Sequence, residues 1–182
     1  MIYKFIVFAA ALISFLLSGT VRGSQFIPLS VDELTARSSI VLHGTVVSKT
    51  CLRDGEGRIY TRVEVAVSDV WKGNVASNRF TIVQGGGILG EEKVTVSGQV
   101  EYRPGEEMVA FLVLNQRGEG VTLGLMQGKF EVHRETTTGA KYARNLFHGR
   151  GSEKIDRAAQ PQTGTGRLAL SELKRRVQET KQ

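Results

Sequence analysis

Few residue types in this 182-residue chain stand at the spacings that chemistry requires. Gly85, Gly87 and Gly90 satisfy G-x-G-x-x-G and follow a predicted strand. A dinucleotide fingerprint must then open a helix whose N-terminus holds the pyrophosphate. Here Glu91 to Val100 alternates as a strand, so the glycines predict a wide, mobile loop and no cofactor is expected. His43, His133 and His148 form neither H-x-x-x-H nor H-E-x-x-H, and Cys51 has no second cysteine. No metal site of ordinary spacing is therefore expected. Asp54 and Glu56 could supply two calcium ligands, but their loop lacks the further acids such a site requires. Glu91-Glu92 and Glu106-Glu107 are acidic pairs, but neighbours in a strand point to opposite faces, so neither pair forms an acid–base dyad on its own. No G-x-S-x-G elbow exists. The sequence names no catalytic residue, and a hydrolase survives only as a site assembled in space.

The elements that would position these residues are mostly strands. Arg58 to Gly73 organises the chain: Ile59, Thr61, Val63, Val65 and Val67 share one face at period two, and Tyr60, Arg62, Glu64 and Ala66 share the other. Val70 and Trp71 break that alternation, so Ser68-Asp69 predicts a bulge or bend. A long strand bent in its middle serves both walls of a small closed barrel. Before it, Ser30 and Glu33 form a capping box with Leu29 as staple, predicting a short helix that ends near Arg37. Ser39 to Lys49 predicts a strand with Ile40, Leu42, Gly44 and Val46 inward. Asp54-Gly55-Glu56-Gly57 is a turn. Arg79–Gln84, Lys93–Tyr102, Met108–Leu114, Val121–Leu125 and Lys129–His133 predict further strands, with Met108–Leu114 buried on both faces. The expected fold is mainly all-β: a small closed OB-like barrel with a short N-terminal helix and a C-terminal helix.

Lys4 followed by the apolar run Phe5 to Leu17, with Val21-Arg22-Gly23 at the cleavage positions, reads as a signal peptide over residues 1–23. The run is shorter than the roughly 20 residues a spanning helix needs. A barrel domain over 24–148, a linker over 149–166 and an amphipathic helix over 167–182 follow. No transmembrane segment is expected after cleavage. An exported chain with a single cysteine points to a bacterial periplasm or exterior, and to a core that holds without disulfides. The basic pI belongs to the tail: residues 139–182 hold ten Lys/Arg against four Asp/Glu, whereas 24–138 hold twelve against fourteen. A nucleic-acid barrel would interleave cations with stacking aromatics in a groove. That pattern is missing, and no nucleic acid is expected.

Leu170, Leu173 and Val177 recur at helical spacing, with Lys174, Arg175 and Arg176 late in the helix. They predict either a helix docked on the barrel or one that meets a membrane surface or partner.

The runs Ser39 to Val47, Tyr60 to Gly73 ending in Val70-Trp71-Lys72-Gly73, Gly105 to Leu112, Gly124 to Phe130 and Leu168 to Val177 resemble a group of exported bacterial proteins of unassigned function. More distantly, a long strand ending Lys-Gly and a Gly-Glu before an apolar strand are similar to the netrin-like OB barrel of tissue inhibitors of metalloproteinases. That resemblance implies a fold and contact with a peptidase. It does not carry over the inhibitors' zinc-chelating N-terminal cysteine, because Ser24-Gln25-Phe26 stands there.

The function expected is an exported, non-enzymatic binding module contacting or regulating another secreted protein such as a peptidase. An envelope-associated structural protein is the alternative. Loops on a rigid scaffold carry recognition, so the expected surface is a barrel mouth made by 54–58, 85–92 and 115–120. Its candidate residues are Asp54, Glu56, Arg58, Gly85, Gly87, Glu91 and Arg117.

Overall fold

A computed structural model describes residues 28–148 and 167–180. The expected signal peptide (1–23) and linker (149–166) lie outside the described residues. In chain order the elements are α1 (Val31–Arg37), β1 (Ile40–Arg53), β2 (Ile59–Lys72), β3 (Arg79–Gly85), β4 (Gly87–Leu89), β5 (Glu92–Val94), β6 (Glu107–Leu114) and β7 (Gly120–Thr122). A 3₁₀ turn (Leu125–Gly128), β8 (Lys129–Arg134), β9 (Lys141–Arg144), β10 (Arg167–Ala169) and α2 (Leu170–Thr180) complete them.

Five strands close a barrel in the OB order. β1 pairs with β2, β2 with β3, β3 meets β7 in parallel at Ile82 and Gly120, β7 pairs with β6, and β6 returns to β1. β8, β9 and β10 continue the sheet outward from β6. The first strand runs to Arg53, beyond the expected end at Lys49, because it pairs with β2 as far as Ile59.

The expected bulge lies at Ser68. His43 faces Asp69 while Gly44 faces Val67, so Ser68 is the extra residue. A second irregularity leaves out Trp71, between Val70 opposite Leu42 and Lys72 opposite Val41. The Ser68 bulge reverses which face the odd-numbered residues take. Up to Val67 they belong to the barrel interior; beyond it, Asp69 sides with His43 and Trp71 joins the outer cluster.

Two apolar cores result. Inside the barrel, Ile40, Leu42, Val46, Val63, Val65, Ile82, Met108, Ala110 and Leu112 meet, with Tyr102 closing one end. On the outer face, Val41, Trp71, Val109, Phe111, Phe130, Val132 and Ala143 are covered by Val31 and Leu34 of α1 and by Leu173 and Val177 of α2. β6 supplies both cores, and Met108 to Leu112 are fully buried. The capping box starts α1 as expected: Ser30 Oγ accepts from Glu33 N–H and the Glu33 carboxylate accepts from Ser30 N–H. The apolar stripe of the C-terminal helix, Leu173 and Val177, is buried in the outer core, so α2 docks on the barrel.

Of the strand expected over Lys93–Tyr102, only Lys93 and Val94 are in one, β5 (Glu92–Val94); residues 95–102 are not. Gly98 takes φ +73°, Pro104 carries no N–H, and the segment is pinned by side chains instead. Tyr102 is buried and its hydroxyl bonds Thr122 Oγ1 at 2.6 Å. Lys129, only 4% exposed at its side chain, donates to Glu101 O and to Glu106 Oε1 at 2.6 Å, with its ammonium 5.1 Å from the centre of the Tyr102 ring. A buried cation is tolerable only with such partners.

At Gly44, β1 passes close against the β2 backbone. A Cβ there would lie 2.5 Å from Ala66 O, a backbone atom that cannot swing aside. Gly44→Val is expected to destabilise the protein by about 2–3 kcal/mol, read as a lower urea midpoint with an unchanged m-value.

Candidate functional site

An open groove of about 510 Å3 lies at the end of the barrel where β1 turns into β2. One wall is the turn 54–58. Asp54 Oδ1 accepts the N–H groups of Glu56 and Arg58, and Asp54 Oδ2 accepts from Arg58 Nε at 2.8 Å. The Arg58 side chain, helped by these backbone donors, holds the Asp54 carboxyl below the usual aspartate range. Both residues therefore fix the loop's shape, the part that Asp plays in many turns.

The opposite wall is the β4–β5 hairpin, and here the glycine-rich stretch has its physical reason. It forms a tight hairpin instead of the expected wide loop: Gly87, Ile88 and Leu89 pair with Val94, Lys93 and Glu92. The hairpin lies flat on the end of the barrel. A Cβ on Gly87 would stand 2.5 Å from Thr61 Oγ1 and 2.6 Å from Cys51 Sγ. Thr61 donates its hydroxyl to Gly86 O, and Gly86 N–H bonds Ile59 O. The glycines thus allow backbone to pass over β1 and β2, and Cys51 packs beneath it.

Between these walls lie Ile59 and Tyr60, with Val94 and Val96 on the hairpin side. Val94 is 45% and Val96 39% exposed. Arg53 and Glu92 form an ion pair of 2.6 Å, an exposed bond joining β1 to β5. Asp54, Arg58 and Gly85 line the groove; Glu56 sits beside it, paired with Arg58 at 2.8 Å. Glu91 is exposed at the hairpin tip. Arg117 is not brought to this groove. β7 runs parallel to β3 with Gly120 opposite Ile82, so the turn before Gly120 lies toward Arg79, at the far end of β3 from Gly85.

The groove's lining holds no free acid–base pair: Asp54 and Glu92 are each engaged by an arginine. It has an apolar floor and paired charges at the rim.

A second polar constellation escapes sequence reading. His43 Nε2 lies 2.7 Å from Glu107 Oε1, which also accepts from Lys141 Nζ at 2.6 Å. The His43 and Trp71 rings stand 5.9 Å apart, and Trp71 Nε1 donates to Asp69 Oδ2, which Lys174 of α2 also reaches at 2.6 Å. Burial opposes ionisation of Glu107, but hydrogen bonds from Lys141 and His43 outweigh it and keep its carboxyl below the usual range. These groups come from β1, β2, β6, β9 and α2, separated by up to 105 positions for Lys174 and Asp69. Only the Ser68 bulge hints at them, because it turns Asp69 outward. Each acid is held by a cation, so the cluster brackets α2 against the barrel.

The other two histidines are apart from it. His133 stacks on Tyr142 with ring centres 5.5 Å apart. His148 stacks on Phe130, and burial pushes its pKa down to about 4. Among the described residues no three His, Cys, Asp or Glu side chains gather as metal ligands.

The Lys174 hydrogen bond, with Trp71 assisting against burial, lowers the Asp69 pKa from its ordinary 3.8. A lowered carboxylate stabilises the fold above the unfolded value and ceases to do so as the pH falls through the folded one. Lys174→Met is therefore expected to lower Tm by up to about 3 °C at pH 7, as a half-exposed pair warrants. The gap from the parent should close below pH 3.8, as followed by circular dichroism.

No protein-family model matches this chain, and no curated protein matches it.

Proposed function

We propose that the protein is an exported, non-enzymatic binding module that engages another exported protein through the groove between the 54–58 turn and the β4–β5 hairpin. The observation that carries this reading is the exposed apolar pair Val94 and Val96 facing a rigid barrel end whose charges are already paired. Exposed apolar surface in a concave setting with a polar rim is the composition of a protein contact. An open groove suits a polypeptide better than a small molecule, which is usually enclosed.

Export rests on the leader pattern of residues 1–23. Among the described residues, no helix is long and apolar enough to cross a membrane. The resemblance to netrin-like barrels makes a secreted peptidase the first partner class to examine. The docked α2 helix favours a module of this kind over an envelope anchor, since its apolar residues are buried against α1 and the barrel.

Tagged 24–182, used as bait in periplasmic and secreted fractions, is expected to retain a specific exported protein. Val94→Lys should weaken that complex at least tenfold, about 1.4 kcal/mol, at unchanged Tm. Equal retention by parent and variant would remove the groove from the interaction.

A further inference from the structure

We infer that the partner segment binds as an added β-strand, antiparallel to β5, with an acidic residue opposite Lys93 and an apolar one opposite Val94. This rests on the groove being a binding surface and goes beyond it by assigning the mode and chemistry of the bound segment.

The hairpin has the geometry of a strand acceptor. β4 and β5 form a two-stranded sheet of their own, and among the described residues β5 has no strand partner other than β4. Its other edge therefore carries backbone donors and acceptors available to a third strand. Every residue from 91 to 97 is exposed, so no described element covers that edge. The register fixes the faces. Leu89, Glu92, Gly87 and Val94 share one, toward the barrel end, and Ile88 and Lys93 share the other. A strand laid along β5 would direct alternate side chains toward the groove beside Val94, and the intervening ones beside Lys93 and Ile88. Ile88 is 64% exposed, leaving room there for a further apolar contact.

The charges discriminate between occupants. In a two-fold antiparallel pairing of β5 with a second copy, one residue must face itself across the axis. Centring on Glu92 or Lys93 sets like charges together, which opposes pairing, and of the three β5 residues only a Val94-centred register escapes this. Edge charges of this kind guard against self-association. Glu92 is neutralised by Arg53, whereas Lys93 has no ion-pair partner among the described residues. Lys93 is thus the one charge on β5 left for an incoming carboxylate. Strand addition gives affinity through main-chain hydrogen bonds and specificity through alternate side chains.

The test pans a displayed library of random nonapeptides against mature 24–182, with counter-selection on Val94→Lys. Enriched peptides are expected to alternate apolar residues with an acidic one, and Lys93→Glu should shift that preference to basic. In synthetic peptides, N-methylation at one parity of backbone amides should weaken binding more than tenfold, while the other parity is tolerated. Indifference to N-methylation at both parities would overturn strand addition while leaving a groove that binds by side chains. No enriched peptide would also overturn it, and the bait experiment would then decide the broader reading alone. Sedimentation equilibrium is expected to show a monomer; a dimer abolished by Val94→Lys would overturn the partner assignment in favour of a second copy.

Discussion

The close, bulged pairing of β1 with β2 is the constraint on which the remaining architecture depends. Two fourteen-residue strands cannot curl into a small barrel as a flat ribbon, because regular pleating keeps each face on one side throughout. Here Gly44 lets the backbones approach to a distance that any Cβ would forbid, and the extra residue at Ser68 bends β2 and reverses its faces. One end of β2 consequently fills the barrel with Val63 and Val65. The other delivers Trp71 to an outer core and Asp69 to an ion pair. The same ladder carries β1 past the barrel wall to Arg53, which places the 54–58 turn beside the hairpin.

The two cores explain why so short a barrel supports an exposed apolar groove. A single small barrel buries limited apolar surface for its size. Covering its outer face with α1 and α2 adds a second buried layer that shares β6 with the first. The polar cluster at the margin of that layer, Glu107 with His43 and Lys141, and Asp69 with Lys174, contributes orientation more than energy, as expected of half-exposed ion pairs. Rigidity thus comes from layers remote from the groove. Val94 and Val96 can remain exposed because the fold does not require their burial.

The extent to which all this is legible in the sequence follows from the range of each interaction. Ser30 with Glu33, the alternation from Ile59 to Val67, the break at Ser68-Asp69 and the unbroken apolar run of β6 act over a few residues, and each has its expected place in the fold. The expected strand from Lys93 to Tyr102 fails because Tyr102 is placed by the barrel end and by Lys129, not by its neighbours. β9 and β10 are short, and their pairing joins residues on either side of 149–166, so no local period marks them. The G-x-G stretch forms a hairpin and not the expected wide loop because of the small space above Cys51 and Thr61. Asp54 and Arg58 are in the groove as expected, yet as structural partners of one another. Arg117 is carried to the other end of β3 by the parallel closure, which a list of loops does not encode.

A choice between catalysis and recognition turns on what the polar groups have left over. General acid–base work requires a group whose proton is exchangeable toward a substrate, usually held by burial away from a compensating charge. In the groove, Asp54 is bound by Arg58 and two backbone N–H groups, and Glu92 is bound by Arg53. In the outer cluster, Glu107 and Asp69 are lowered by their cations and so favour staying ionised. These arrangements hold negative charge in place. Among the described residues, what has no partner is of another kind: apolar side chains exposed at Ile88, Val94 and Val96, and the backbone edge of β5 beside Lys93. Under the reading proposed above, both are what a polypeptide in extended conformation would meet.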